Sequence, residues 1–279
     1  MNRRRESRAF LQIVGNGPEH ELDIAGAALH LAALTRSKVD LEPAELHFDA
    51  LTRDVASRAQ NEAPVSAEAA AGILAGVVAR ENRYRGDDQT YDDLQNADLL
   101  SVIERRKGLP VALGILYIHV ARAQGWRAFG LNFPGHFLIA LELEGSRAIL
   151  DPFHEGVCRT PPELRELLKM VAGQDAELSA DLFAPVPDRG VLLRLLSNIR
   201  LRLLQMRRLE DASETIDAML LIAPQQPELW RDAGMLRMRL GRLQRLPALP
   251  ADSTSRSLLT IEPEGKQAGR ARMSPNSRP

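Results

Sequence analysis

The stretch from Val111 to Ala121 constrains this chain most: eleven residues without a charged side chain, interrupted only by the polar rings of Tyr117 and His119. It is entered through Lys107-Gly108-Leu109-Pro110 and left through Gln124-Gly125. Proline is favoured in the first turn of a helix and glycine just past its end, so these residues bracket one helix over Val111 to Gln124. About 20 apolar residues are needed to cross a bilayer, and this run is about half of that. A helix apolar nearly all round must be buried in the middle of a domain. The rest of the chain must supply layers that cover it.

Upstream, apolar residues recur at helical spacing over Glu19 to Thr35, Ala44 to Ala59 and Ala67 to Glu81, which predicts three helices. Asn82 to Gln95 lacks periodicity and reads as a solvated acidic loop carrying Asp87, Asp88, Asp92 and Asp93. It has neither the central glycine nor the terminal glutamate of an EF-hand at the required offset. Asn96 is a plausible N-cap for a helix ending at Lys107, with Arg105, Arg106 and Lys107 facing the negative end of its dipole.

Downstream of Gly125 the apolar period changes from about 3.6 to 2. Trp126 to Phe133, His136 to Leu143 and Ser146 to Asp151 read as strands, separated by Pro134-Gly135 and by a tight turn at Glu144-Gly145. Pro161-Pro162 opens a further helix over Glu163 to Ala172. Helices first and an antiparallel sheet afterwards make the fold class α+β.

Ala184 to Gly190 reads as a linker. Beyond it, Leu196, Ala212, Ile216 and Pro224 sit at the anchor positions of a helical repeat whose period of 34 carries Leu196 onto Trp230, with Gly234 following. One full unit and the first helix of a second fit before Leu246-Pro-Ala-Leu-Pro250 breaks the pattern. The domain reading is a flexible N-terminus at 1–18, a core at 19–183, a linker at 184–190, repeat-like helices at 191–244 and a disordered tail at 245–279.

Composition limits the function classes. With 36 basic against 37 acidic side chains and a formal charge of −1, no global field draws in nucleic acid or an anionic membrane. An apolar fraction of 44% excludes wholesale disorder. The single cysteine, Cys158, cannot form an internal disulfide, and the apolar run after Arg3-Arg4-Arg5 is too short for an export signal, so a cytoplasmic protein is expected. No cofactor motif occurs.

The candidate chemistry lies on the hairpin. A two-residue turn at Glu144-Gly145 puts Leu138 opposite Asp151, with His136 one same-face step away, at roughly 7–8 Å on the diagonal. His136 can then be oriented by Asp151, the base-and-orienter half of a hydrolytic triad, or the two can simply close the end of a sheet.

The ordered motifs Lys-Gly-Leu-Pro before the buried helix, Asn-Phe-Pro-Gly-His-Phe-Leu at Asn132 to Leu138 and Leu-Asp-Pro-Phe at Leu150 to Phe153 resemble the transglutaminase-like core. The resemblance is closest to its bacterial SirB-type subfamily, which joins that core to C-terminal tetratricopeptide repeats. It runs from about Glu19 to Trp230 and implies a papain-like arrangement of central helix and sheet, followed by an all-α tetratricopeptide-like module. In active members a cysteine begins the central helix, a histidine heads the next strand and an aspartate ends the strand after it. His136 and Asp151 match the second and third. The nucleophile position falls on Pro110 or its neighbours Leu109 and Val111, none of which can attack a carbonyl, and the resemblance implies that SirB-type proteins share this departure.

Three functions are compatible with these residues. The first is a non-catalytic protein that binds a protein or peptide through its core and its repeat, Trp230 included. The second is a thiol hydrolase or acyl transferase using Cys158 with His136 and Asp151. The third is a metal site built from His136, Asp151, His154 and Cys158.

Overall fold

A computed structural model describes residues 3–36 and 38–241. The tail expected from 245 onward lies outside the described residues.

The long apolar run forms α6 (Pro110–Ala123), with Pro110 at its first position. Every residue from Pro110 to Ile118 is buried, and so are Val120 and Ala121. Against α6 lie the elements that precede it: α2 (Ile24–Ala33), α3 (Glu42–Glu62), α4 (Ala67–Ala75), which runs on as a π-helical segment over Gly76–Glu81, and α5 (Leu99–Arg105). The single helix expected over Glu19 to Thr35 is split: a 3-10 turn at Glu19–Glu21 is followed by α2, whose N-cap Asp23 accepts from Ala25 N. A short parallel pair, β1 (Arg85–Gly86) with β2 (Lys107–Gly108), ties the loop after the π segment to the entry of α6.

The sheet is antiparallel in the order β6-β5-β4-β3-β7. Its strands are β3 (Arg127–Leu131), β4 (Ile139–Leu143), β5 (Ser146–Asp151), β6 (Val157–Cys158) and β7 (Pro185–Val186). Side chains alternate across a strand, so the sheet has two apolar faces. Ala128, Ile139, Leu141, Ala148 and Leu150 join the core around α6. Phe129, Leu131, Leu138, Ala140 and Ile149 pack beneath Leu164 and Leu168 of α7 (Pro161–Ala172).

Four sequence expectations are corrected. Within the N-terminus read as flexible over 1–18, the described residues are ordered: α1 (Arg3–Asn16) docks on α2 and on α9 (Leu209–Ile222), burying Ser7 and Leu11 completely. A Cβ on Gly15 would collide with the Leu221 carbonyl, so the close approach of α1 to α9 depends on that glycine. Residues 184–190 are not a linker, because β7 pairs with β3 at the sheet edge, where proline's missing N–H costs no ladder bond. Nor do the described residues of 191–244, which end at 241, form a separate module. α8 (Asp188–Gln205), α9 and α10 (Pro227–Arg239) pack in sequence, and Val191, Leu192, Leu195, Leu196 and Ile216 belong to the same core cluster as α6. Finally, Asp98 and not Asn96 caps α5, accepting from Ser101 N at 2.8 Å; Asn96 is buried, bonded to the Thr90 carbonyl and to Arg105.

Candidate functional site

Glu144 and Gly145 have φ of 48° and 75°, the paired left-handed conformation that turns a two-residue hairpin in the sense of the strand twist. The turn fixes the register Ile139↔Leu150 and Leu143↔Ser146 and carries β5 out to Asp151. Pro152 then ends the strand. Asp151 caps the 3-10 turn Pro152–His154, its Oδ1 accepting from Phe153 N at 3.1 Å and His154 N at 3.3 Å. Its Oδ2 accepts from His154 Nδ1 at 2.8 Å and from Arg159 Nε and Nη2 at 3.1 and 2.7 Å.

Asp151 is wholly buried. Burial alone would raise its pKa, but His136, Arg159 and His154 together outweigh that and hold the carboxyl well below the usual carboxylate range. His136 sits in the bend before β4, with Nε2 3.0 Å from Asp151 Oδ1. That approach is short but poorly aligned: Nε2 is buried and has no well-directed hydrogen bond. The His136 backbone is held from α8, whose Arg194 Nη2 donates to its carbonyl at 2.9 Å. His154 stacks on His136 with ring centroids 5.9 Å apart.

The start of α6 is built differently. Leu109 occupies the N-cap without a side-chain bond, Pro110 comes next, and both are buried. Leu109 N donates to the Asn96 carbonyl at 2.8 Å, which fixes the entry of the helix.

Cys158 lies on β6 opposite Leu150. Directly paired residues share a face, and Leu150 packs toward α6, so Cys158 points to the face opposite that of Asp151, the next residue along β5. Burial and the nearby Glu68 both push its thiol pKa up. The structure therefore brings together His136, Asp151 and His154 and leaves Cys158 out. Trp230 is half-buried and donates from Nε1 to the Pro224 carbonyl at 2.8 Å, a bond that links α10 to the end of α9.

The transglutaminase-like superfamily model matches residues 42–197, more than half of the chain. The chain belongs to the transglutaminase-like superfamily. Among curated proteins, this transglutaminase-like chain is 35% identical to a UPF0162 protein of Xylella fastidiosa (strain 9a5c) over 161 residues, 57% of each chain. It is 32% identical to a UPF0162 protein of Vibrio cholerae over 158 residues, 56% of this chain and 58% of the relative. It is 30% identical to the mouse F-box only protein 21 over 125 residues, 42% of this chain but 19% of that protein. The matches to the two bacterial relatives thus span less than two thirds of their length. No solved structure matches the chain.

Sequence reasoning misses Arg159 and Arg194 in this transglutaminase-like site. Arg159 lies eight residues after Asp151, across the β5–β6 turn, and the Asp-Pro pair is the legible sign that the carboxylate caps the turn at Pro152–His154. Arg194 lies 58 residues from His136, and no local pattern links them. The acidic loop is also not solvated throughout. Asp87 is 1% exposed, bonded to Thr90 and Arg105, and the Thr90 hydroxyl above all lowers its pKa to about 2.

Proposed function

We propose that this transglutaminase-like protein binds a protein or peptide and does not carry out acyl transfer through a thiol. One observation carries the reading: Pro110 stands at the first position of α6, and the only cysteine of the chain points to the other face of the sheet from Asp151. A thiol at a helix N-terminus would gain from the helix dipole and from free backbone N–H groups. Pro110 has neither a nucleophile nor an N–H. Asp151 is occupied by Arg159 and by two backbone amides, so it serves to lock the loop after β5. The helical hairpins of α8, α9 and α10 add a second surface on which a polypeptide can dock.

The test is to incubate the full chain with a glutamine-containing peptide and a labelled primary amine, and separately with a thioester. Neither should be turned over above the level of a Cys158→Ala variant. Turnover abolished by both Cys158→Ala and His136→Ala would overturn the reading.

A second reading rests on a specific arrangement. One donor atom each from His136, Asp151 and His154 lie within 4.8 Å of one another, and two imidazoles with one carboxylate suit a divalent transition metal. Arg159 on Asp151 Oδ2 opposes it by placing a fixed positive charge where the cation would bind. Stoichiometric zinc in protein purified without chelator, lost in His154→Asn and kept in Cys158→Ala, would favour the metal. Metal-free protein of full stability would end that reading.

A further inference from the structure

Beside His154, the surface changes character. Arg80, Arg83, Arg85, Arg105, Arg106 and Lys107 line one open cavity of about 520 Å³ with Glu155 on its rim. A second cavity, of about 490 Å³, shares Arg85, Lys107 and Glu155 with the first and continues to Phe153 and His154. The two make one trough that ends at the candidate site. Its cations come from separate segments: the end of the π-helical turn, β1, and the junction of α5 with β2.

Two of these cations are used internally. Arg105 pairs with the buried Asp87 at 2.8 Å, and Arg106 bonds to Tyr84 and His47. The others are not. Among the described residues, Arg83, Arg85 and Lys107 make no ion pair, and Arg80 reaches only the Gly72 carbonyl, at 3.2 Å. Glu155 and Asp88 are the acids that line the trough, and its free cations outnumber them.

This arrangement works against folding. Arg85 and Lys107 are direct partners in the β1–β2 ladder, so two like charges stand side by side on one face, an arrangement that destabilises a sheet. Arg83 and Arg106 hold φ of 61° and 59°, a left-handed conformation disfavoured for side chains of their size. Nothing in the packing requires basic residues at Arg83 or Arg85, which are exposed. An anionic ligand in the trough would relieve the repulsion.

We infer that the trough is the docking surface for an extended acidic segment of a partner polypeptide. The inference rests on the binding reading above in taking the partner to be a polypeptide. Charge favours that class over nucleic acid: the trough is a narrow basic strip in a chain of net charge −1, whereas nucleic-acid binders present a broad basic face. The trough's aromatic ring, Phe153, is packed against Gly86, where a Cβ would lie 2.5 Å from the ring, and so is not free to stack on bases.

The test is fluorescence anisotropy with the full chain and a fluorescein-labelled polyglutamate peptide at low ionic strength. Binding is expected, with weakening as salt is added. Arg85→Glu with Lys107→Glu should weaken it at least about tenfold, and Arg83→Glu alone should act in the same direction by a smaller factor. Lys38→Glu with Arg53→Glu, both exposed and lining neither cavity, should leave it unchanged. No binding by the wild-type chain, or equal weakening by the Lys38 and Arg53 pair, would overturn the proposal. A single-stranded oligonucleotide of matched charge binding as tightly as the peptide would overturn the assignment to a polypeptide. Acyl-transfer turnover bears on the binding reading alone, so the two failures are told apart.

Discussion

At the end of β5 one buried carboxylate gathers two backbone amides, a second histidine and two nitrogens of one guanidinium. At the start of α6, Leu109 and Pro110 are buried and give the helix no polar side-chain cap. In a thiol enzyme of this architecture the two ends act as one unit. Here the polar end is over-determined and the helix end is packed shut. Asp151 therefore has a structural part in the fold that needs no nucleophile.

Removing the carboxylate is the strongest test of that view. Asp151→Ala leaves Arg159 and two backbone amides without their acceptor in a buried setting, and truncating one side of a buried charged pair costs about 3–5 kcal/mol. Urea denaturation should show this loss, whereas Pro110→Ala should change stability by about 1 kcal/mol or less. Equal effects at the two positions would erase the distinction between the ends. The loop after Asp151 is nearly as demanding. Gly156 has φ of +72°, and a Cβ there would lie 2.6 Å from the Tyr117 hydroxyl, a buried group of α6 with no hydrogen-bond partner among the described residues. Gly156→Ala should cost about 2–4 kcal/mol from the backbone penalty and the clash together.

Acid titration separates the site from its surroundings, because its carboxylate and the buried histidines elsewhere take up protons in different windows. Asp151 has a depressed carboxyl pKa, so its contribution is present above the unfolded value of about 3.9 and is lost only as pH falls below it. His47, between Tyr84 and Arg106 beside the basic trough, is lowered to about 4, mainly by burial and then by the Arg106 charge. A histidine held neutral in the fold takes up its proton more readily in the unfolded chain. Stability should therefore begin to fall near pH 6.5 and continue down to about pH 4. Burial lowers His30 and His119 as well, so His47→Gln should reduce the slope of that upper window without abolishing it and leave the lower one, as read from denaturation midpoints against pH. An unchanged slope between pH 6.5 and 4 would remove His47 from the account.

The parts of this fold that are legible in the sequence are those with local rules. The apolar run dictates α6, the turn residues Glu144-Gly145 dictate the register of β4 with β5, and that register alone brings His136 within reach of Asp151. Long-range closure is invisible at that level. Pro185-Val186 looks like a linker because two residues carry no period, yet it completes the sheet edge on β3. The amphipathic α1 gains its place from α9, some 200 residues on, and a helix whose partner is that distant reads as a frayed end. Basic residues from three segments meet only in space, so the trough has no sequence signature at all.

The smallest expected effect bears most directly on the comparison of the two ends. Cys158 has a raised thiol pKa from burial and from Glu68, so at pH 7 it should react with iodoacetamide more slowly than a free thiol, and Cys158→Ser should change stability by about 1 kcal/mol or less. The complementary variant puts a thiol where the helix can activate it. Pro110→Cys in a Cys158→Ala background places a sulfur at the first position of α6, where the helix N-terminus lowers a thiol's pKa but burial opposes it and limits access, so any gain in labelling over Cys158 should be small. If adding His136→Ala to that background removed the gain, the histidine would still be poised toward the helix, and only the nucleophile would be missing. If the gain survived, the two ends would be uncoupled, and the histidine–aspartate pair would serve the loop after β5 alone.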